Sequence, residues 1–116
     1  MRHKNKGKIL GRTKEAREMM LRNLLSSIII YEKVETTKAK AKAVKPLLEK
    51  AITTAKKGDL ASRRELLKII LEPKAVNKSF EVLAERYKDR AGGYSRIIKI
   101  GNRVGDGAEM VQIELV

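Results

Sequence analysis

The amino-acid sequence predicts an α+β fold: a two-layer α/β domain with the element order α-β-α-α-α-β-β, a small three-stranded mixed sheet covered by helices, and a basic N-terminal extension. Two observations carry that reading. Apolar residues recur at three- and four-residue spacing through four windows, as helices with one buried stripe require. Three shorter windows alternate with period two or are rich in β-branched residues, as strands require. A chain of 116 residues is long enough for one domain with a real core. It divides into an extension, residues 1–12, and a globular domain, residues 13–116.

Residues 1–12 show no periodicity. Thr13 is placed as an N-cap, with Glu15 in the first turn where it favours the helix dipole. Ala16, Met20, Leu21, Leu24, Leu25, Ile28 and Ile29 then form one stripe on a helix ending near Ile30. Arg17 falls within the arc of that stripe at its entry end, so it is expected to project past the core. Residues 31–36, with Val34 between Lys33 and Glu35, read as a short strand. Thr37 caps a long helix reaching Lys57, and Gly58 stands at its C′ position. On that helix Val44, Leu47, Leu48, Ala51, Ile52 and Ala55 share one side. Lys38, Lys42, Lys45 and Lys56 share the other, with Lys40 the exception. Pro46 removes one backbone hydrogen bond and predicts a bend over residues 42–46.

Asp59 caps a third helix carrying Leu60, Leu66, Leu67 and Ile70, which stops before Pro73 because proline disfavours helical geometry in the preceding residue. Pro73 opens the fourth helix at its first position, with Val76, Phe80, Leu83 and Tyr87 as the buried stripe. Residues 89–96 form a loop containing Gly92 and Gly93. Strands at about 96–102 and 109–115 follow, joined by a glycine-rich turn over 104–108. Val111, Ile113 and Leu115 alternate with Gln112 and Glu114, so one sheet face is wet or covered by something polar.

Charge is the second axis of the sequence. The formal net charge is +13, and three blocks, 1–14, 37–58 and 90–103, carry +16 between them. The first fourteen residues hold six basic side chains and no acidic one. Such a segment cannot bury enough surface to fold alone, so a partner that orders it must be polyanionic, and nucleic acid leads. The absence of cysteine excludes disulfides, thiolate metal sites and a cysteine nucleophile, and fits a reducing cytoplasm. The single histidine, His3, lies in the extension, where a catalytic triad or metal site has nothing to build on. The longest apolar run, residues 28–31, is far short of the roughly 20 residues needed to cross a bilayer. The basic start is not followed by the apolar stretch of a secretion signal, so the mature protein is expected to begin here. No enzyme, cofactor, metal, membrane partner or small-molecule substrate is predicted.

Arg2, His3, Lys4, Lys6, Lys8, Arg12 and Lys14 suit phosphate neutralisation, because flexible cations follow an irregular backbone that a rigid surface cannot. The plain alternative is a solvated tail. In Arg90-Ala91-Gly92-Gly93-Tyr94-Ser95-Arg96, glycines permit close backbone approach to a ligand, arginines offer forked donors to phosphate, and Tyr94 offers a ring for stacking. The alternative there is a helix-to-strand turn whose tyrosine packs onto the core. The lysine face of the long helix, with Lys38 and Lys42, suits RNA less specifically and reads more readily as a solvated face. The segment 101–107 follows neither dinucleotide nor P-loop spacing and reads as a hairpin turn. Asp106, Glu109 and Glu114 form no catalytic pair.

The chain resembles the bacterial large-subunit ribosomal protein seventeen family. The matching stretches are Met1-Arg2-His3-Lys4; Arg17 to Leu25 with its Arg22-Asn23; Val34-Glu35-Thr36-Thr37 with Lys40-Ala41-Lys42; and Arg90 to Ile97, continuing through Gly101-Asn102-Arg103-Val104-Gly105-Asp106 to Ile113-Glu114-Leu115. The resemblance implies a protein of the cytoplasmic ribosome that binds 23S rRNA on the solvent side of the large subunit near the exit tunnel. It also implies contact with neighbouring ribosomal proteins, as a single copy that is monomeric in isolation. The basic extension carries over as Arg2, His3, Lys4, Lys8 and Arg12, and the glycine loop as Arg90 to Tyr94 with Arg96. Many members extend a little past the last strand, whereas this chain stops at Val116. The full RNA-contact set expected here adds Lys6, Lys14, Arg17, Arg22, Lys38, Lys42 and Arg103. A DNA-binding architectural or nucleoid protein is the alternative, though no recognition helix or apolar wedge is evident. A membrane-surface module is disfavoured by the absence of Trp and the single Phe, and a nuclease is remote.

Overall fold

The computed structural model describes residues 13–116. Helix α1, Lys14–Tyr31, starts as its cap requires: the Thr13 hydroxyl accepts from the Ala16 N–H at 3.3 Å. It runs one residue further than its pattern suggests and takes in Tyr31. Glu32 then turns the chain in the left-handed region, φ +67°, and its N–H returns to the Ile28 carbonyl at 2.8 Å. Strand β1 is therefore Lys33–Thr37, shifted toward the C-terminus of its expected place. Helix α2, Lys38–Lys57, follows at once, capped by the Thr37 hydroxyl and closed by Gly58 at φ +70°. It continues unbroken through Pro46.

Asp59 caps α3, Leu60–Ile69, by accepting from the Ser62 N–H at 2.7 Å. Pro73 opens a fourth helical run, α4, over residues 73–86. That run is α-helical over Pro73–Lys78 and Ala84–Arg86 and π-helical over Ser79–Leu83. Ser79, buried where the winding widens, donates back to the Ala75 carbonyl at 2.8 Å, a bond of the kind that bends helices. Strands β2, Ser95–Asn102, and β3, Glu109–Leu115, complete the chain.

The sheet order is β1-β3-β2, and both pairings are antiparallel. The expectation of a mixed sheet is thereby corrected. Strand β3 follows β2 through a hairpin and lies between the two others, so each neighbour opposes it. Register aligns Val34, Ile113 and Ile97 across the three strands, and this apolar row faces the helices with Val111 and Leu115. On the opposite face Glu114 lies between Lys33 and Arg96.

The centre of the core is α2, whose Ala41, Val44, Leu48, Ala51, Ile52 and Ala55 are fully buried. The small alanines let α1, α3 and the sheet come close, while Leu48 and Ile52 fill the space between them. Leu25, Ile28 and Ile29 from α1, Val76 and Leu83 from the α4 segment, and Tyr87 just past its end meet them there. In α3 only half of the expected stripe is inside: Leu66 and Ile70 are buried, but Leu60 and Leu67 stand exposed. A ten-residue helix lying on the surface of α2 has one narrow contact line, and four apolar residues spread wider than that line.

Glu32 ties three elements together. Its carboxylate takes a two-toothed contact from Arg86, at 2.5 and 3.0 Å, and one from Lys78 at 2.9 Å. Those hydrogen bonds, Arg86 first and Lys78 second, lower its pKa from 4.5 to about 2. A folded-state value below the unfolded one stabilises the fold above pH 4.5, and that contribution disappears as pH falls toward 2. With the side chain about one-third exposed, screening limits it to about 1 kcal/mol. Chemical unfolding followed from pH 6 to pH 2 should show Glu32→Gln less stable than wild type at pH 6 and the two converging by pH 2. Parallel curves would show that the Glu32 cluster contributes nothing.

Candidate nucleic-acid interface

The loop between α4 and β2 is built by its own sequence and by the helix behind it. After Arg86 the backbone loosens through a turn in which the Arg90 N–H reaches the Tyr87 carbonyl at 3.0 Å. Gly93 adopts φ +65°, a conformation costly for any residue with a Cβ, and this reverses the chain into β2. Tyr94 is then carried inward. Its ring is 1 % exposed and packs against Tyr87 with centroids 5.2 Å apart.

The stacking role for Tyr94 is therefore corrected, because its ring is a core element and has no free face for a base. The loop is fixed from beneath by three side chains of α2. Glu49 accepts the Tyr94 N–H at 3.0 Å on one carboxylate oxygen and the Ser95 hydroxyl at 2.5 Å on the other. Lys45 donates to the Ser95 carbonyl at 2.9 Å. Lys56 donates to the Arg90 carbonyl and to the Tyr94 hydroxyl, the latter at 3.0 Å, with its ammonium 5.1 Å from the ring centroid. The hydrogen bond from Lys56 lowers the Tyr94 phenol pKa against the opposing effect of burial. Lys45 and Lys56, which the sequence places on a free lysine face, are thus committed internally.

What remains outside is Arg90 to Gly93, all exposed. Gly92 stands apart from Gly93: its φ is not in the left-handed region, and a Cβ built there would meet nothing within 4 Å. Nothing in the described fold requires glycine at that position.

The other expected contact residues separate by their partners. Arg96 pairs with Glu114 at 2.6 Å, Lys38 with Glu109 at 3.5 Å, and Arg103 with Asp106. Arg103 holds the Asp106 carboxyl well below the usual range, and Arg96 lowers that of Glu114. Lys14, Arg17, Arg22, Lys42 and Arg90 have no carboxylate partner among the described residues. Arg22 lines a depression of about 200 Å³ with Glu18, Leu21, Leu47, Lys68 and Ile69, and its Nε is buried with no hydrogen-bond partner among the described residues. Lys42 lies away from the loop, about 21 Å along the α2 axis at 1.5 Å per residue from Lys56, which holds the loop. Arg2, His3, Lys4, Lys6, Lys8 and Arg12 lie outside the described residues. Among the described residues, no group of three His, Cys, Asp or Glu could hold a metal ion, and no helix is long and apolar enough to cross a membrane.

Glu49 is the loop-holding residue that sequence reasoning missed. Its i, i+4 spacing from Lys45 reads as an ordinary surface pair, and only the folded chain brings residues 45 and 49 against 94 and 95.

Comparison with known proteins adds to this geometry. A family model described as ribosomal protein L17 matches residues 20–116. The chain is 49 % identical over 116 residues to the large ribosomal subunit protein bL17 of Syntrophotalea carbinolica, covering all of this chain and 75 % of that protein. It is 50 % identical to the bL17 protein of Trichlorobacter lovleyi, covering all of this chain and 94 % of that one. For the Staphylococcus epidermidis bL17 protein the identity is 50 % over 117 residues, with 92 % and 96 % covered.

The two adjacent glycines should respond differently to a methyl group. Gly93→Ala is expected to destabilise the domain by about 1 kcal/mol, since it forces a Cβ into the left-handed region. Gly92→Ala should be neutral or stabilise by up to about 1 kcal/mol. Urea unfolding of the two variants decides it, and equal destabilisation by both would contradict this geometry of the loop.

Proposed function

The chain belongs to the ribosomal protein L17 family, and on that footing we propose that it holds large-subunit rRNA through its basic N-terminal arm and the exposed arch of the Arg90–Tyr94 loop. As a member it is a structural constituent of the bacterial large ribosomal subunit in the cytoplasm, not an enzyme. The finer reading concerns which groups meet RNA and how.

The observation that carries it is Gly92 beside Arg90. An exposed glycine that neither φ nor packing demands leaves the backbone bare where a partner can approach closely. The neighbouring guanidinium has no carboxylate among the described residues to neutralise it. Phosphate supplies both the close approach and the countercharge, and the forked donors of Arg90 suit phosphate geometry. Arg2, His3, Lys4, Lys6, Lys8, Arg12 and Lys14 add a run of cations that gain affinity by releasing condensed counterions from RNA. Arg17, Arg22 and Lys42, without carboxylate partners among the described residues, extend the interface over the helical layer. Lys38, Arg96 and Arg103 are already paired with the chain's own carboxylates, so they contribute less to phosphate binding. Tyr94 is buried and shapes the loop from beneath, while Gly93 reverses the chain on the exposed arch beside Arg90 and Gly92. Specificity then comes from the shape of folded RNA and not from a helix reading base edges. Neighbouring large-subunit proteins are the further partners this reading places around a single copy of the chain.

Binding to protein-free 23S rRNA, measured across a salt series, tests the reading. Deleting residues 1–12 should leave the domain folded, weaken binding, and flatten the log–log salt slope by about 0.7–0.9 for each phosphate that is no longer neutralised. Arg90→Ala should flatten it by about one such step. Unchanged slopes in both variants would overturn the proposal, as would equal affinity for duplex DNA of the same charge.

A further inference from the structure

We propose that Glu49, supported by Lys45 and Lys56, is a positioning residue for RNA binding: it holds the Arg90–Tyr94 loop in its bound shape before RNA arrives. The inference rests on the loop being an RNA contact, and it concerns a carboxylate that electrostatics alone would exclude from such a role.

Glu49 is an acid on a chain of net charge +13, next to a loop expected to meet phosphate. If charge were all that mattered, it would oppose binding and its removal would help. Its geometry argues the reverse. One carboxylate oxygen takes the Tyr94 N–H at 3.0 Å and the other the Ser95 hydroxyl at 2.5 Å, so a single side chain fixes the point where the loop becomes strand. Lys45 secures the same point through the Ser95 carbonyl, and its ammonium also lies 3.4 Å from the Ser95 hydroxyl. Lys56 secures the other end through the Arg90 carbonyl, and the Tyr94 hydroxyl donates to that same carbonyl at 3.1 Å. Within the arch Arg90 reaches the Gly93 carbonyl at 3.2 Å. Both ends of a four-residue exposed arch are thus anchored to one rigid helix, and its two glycines are kept from exploring the conformations open to them. Ordering such a loop at the moment of binding would subtract from affinity, so anchoring it in advance strengthens binding without any new interaction.

The test measures affinity of the full chain for protein-free 23S rRNA, with thermal unfolding as a control. Glu49→Ala is expected to weaken binding about tenfold with the salt slope unchanged, because every phosphate-binding cation is still in place. Unchanged or tighter binding overturns the proposal. Glu49→Gln removes the same charge but keeps an oxygen for the Tyr94 N–H, so it should recover most of the wild-type affinity; a Gln variant as weak as Ala also overturns it. Should Glu49→Ala fail to fold, Lys56→Met serves in its place. Weakened binding at constant slope supports positioning, whereas a slope flattened by about 0.7–0.9 shows Lys56 to be a phosphate ligand and counts against it. Arg90→Ala separates the two levels: if it leaves binding untouched, the parent reading of the loop as an RNA contact has failed, and if it weakens binding while Glu49→Ala does not, only this inference has.

Discussion

The two-oxygen grip of Glu49 on the start of β2 is the interaction on which the shape of the Arg90–Tyr94 loop depends. It joins the buried scaffold to the proposed RNA contact. Helix α2 serves both parts at once. Its alanine-lined stripe is the centre of the core, and an adjacent strip of the same helix holds the loop through Lys45, Glu49 and Lys56. Because the helix is packed on several sides, the strip has little freedom, and the loop inherits that rigidity. The arrangement commits Lys45 and Lys56 to holding the loop.

The same logic sorts the cations. A chain with this excess of positive charge repels itself when compact, and the fold relieves part of that repulsion internally. Glu32 neutralises Lys78 and Arg86 at the junction of α1 and β1, while Glu109, Glu114 and Asp106 neutralise the basic residues of the hairpin. Of the residues expected to contact RNA, Lys14, Arg17, Arg22, Lys42 and Arg90 are left without such partners among the described residues. RNA phosphate is the counter-charge proposed for these. The buried Nε of Arg22, unpartnered among the described residues, is consistent with that division.

Much of the fold is legible in the sequence because the signals are local. Thr13, Thr37 and Asp59 each cap the helix expected of them, Gly58 closes α2, Pro73 opens the next helix, and β3 begins and ends where alternation places it. What periodicity does not convey is pairing between distant segments. The expected sheet is mixed and the observed one antiparallel, because no feature of residues 33–37 reveals the direction in which they meet residues 110–114. Leu60 and Leu67 fall in the expected core and outside the observed one, because hydrophobicity does not report how narrow a contact line a short helix has. The candidate site is legible as a segment but not as an object. Arg90 to Tyr94 stands out by composition, yet the choice between a stacking tyrosine and a packing one depends on Tyr87 and Lys56, 7 and 38 residues away. Glu49 carries no sequence signal at all, since its role exists only through hydrogen bonds to groups 45 and 46 residues along the chain.

Amide hydrogen exchange at Tyr94 in the free chain examines the central claim most directly. Its N–H is bound to the Glu49 carboxylate at 3.0 Å, while Gly92 lies on the open arch. A loop shaped in advance predicts a Tyr94 amide that exchanges far more slowly than that of Gly92 with no RNA present. A Tyr94 amide that exchanges at the unstructured rate, and slows only when rRNA is added, would contradict the account.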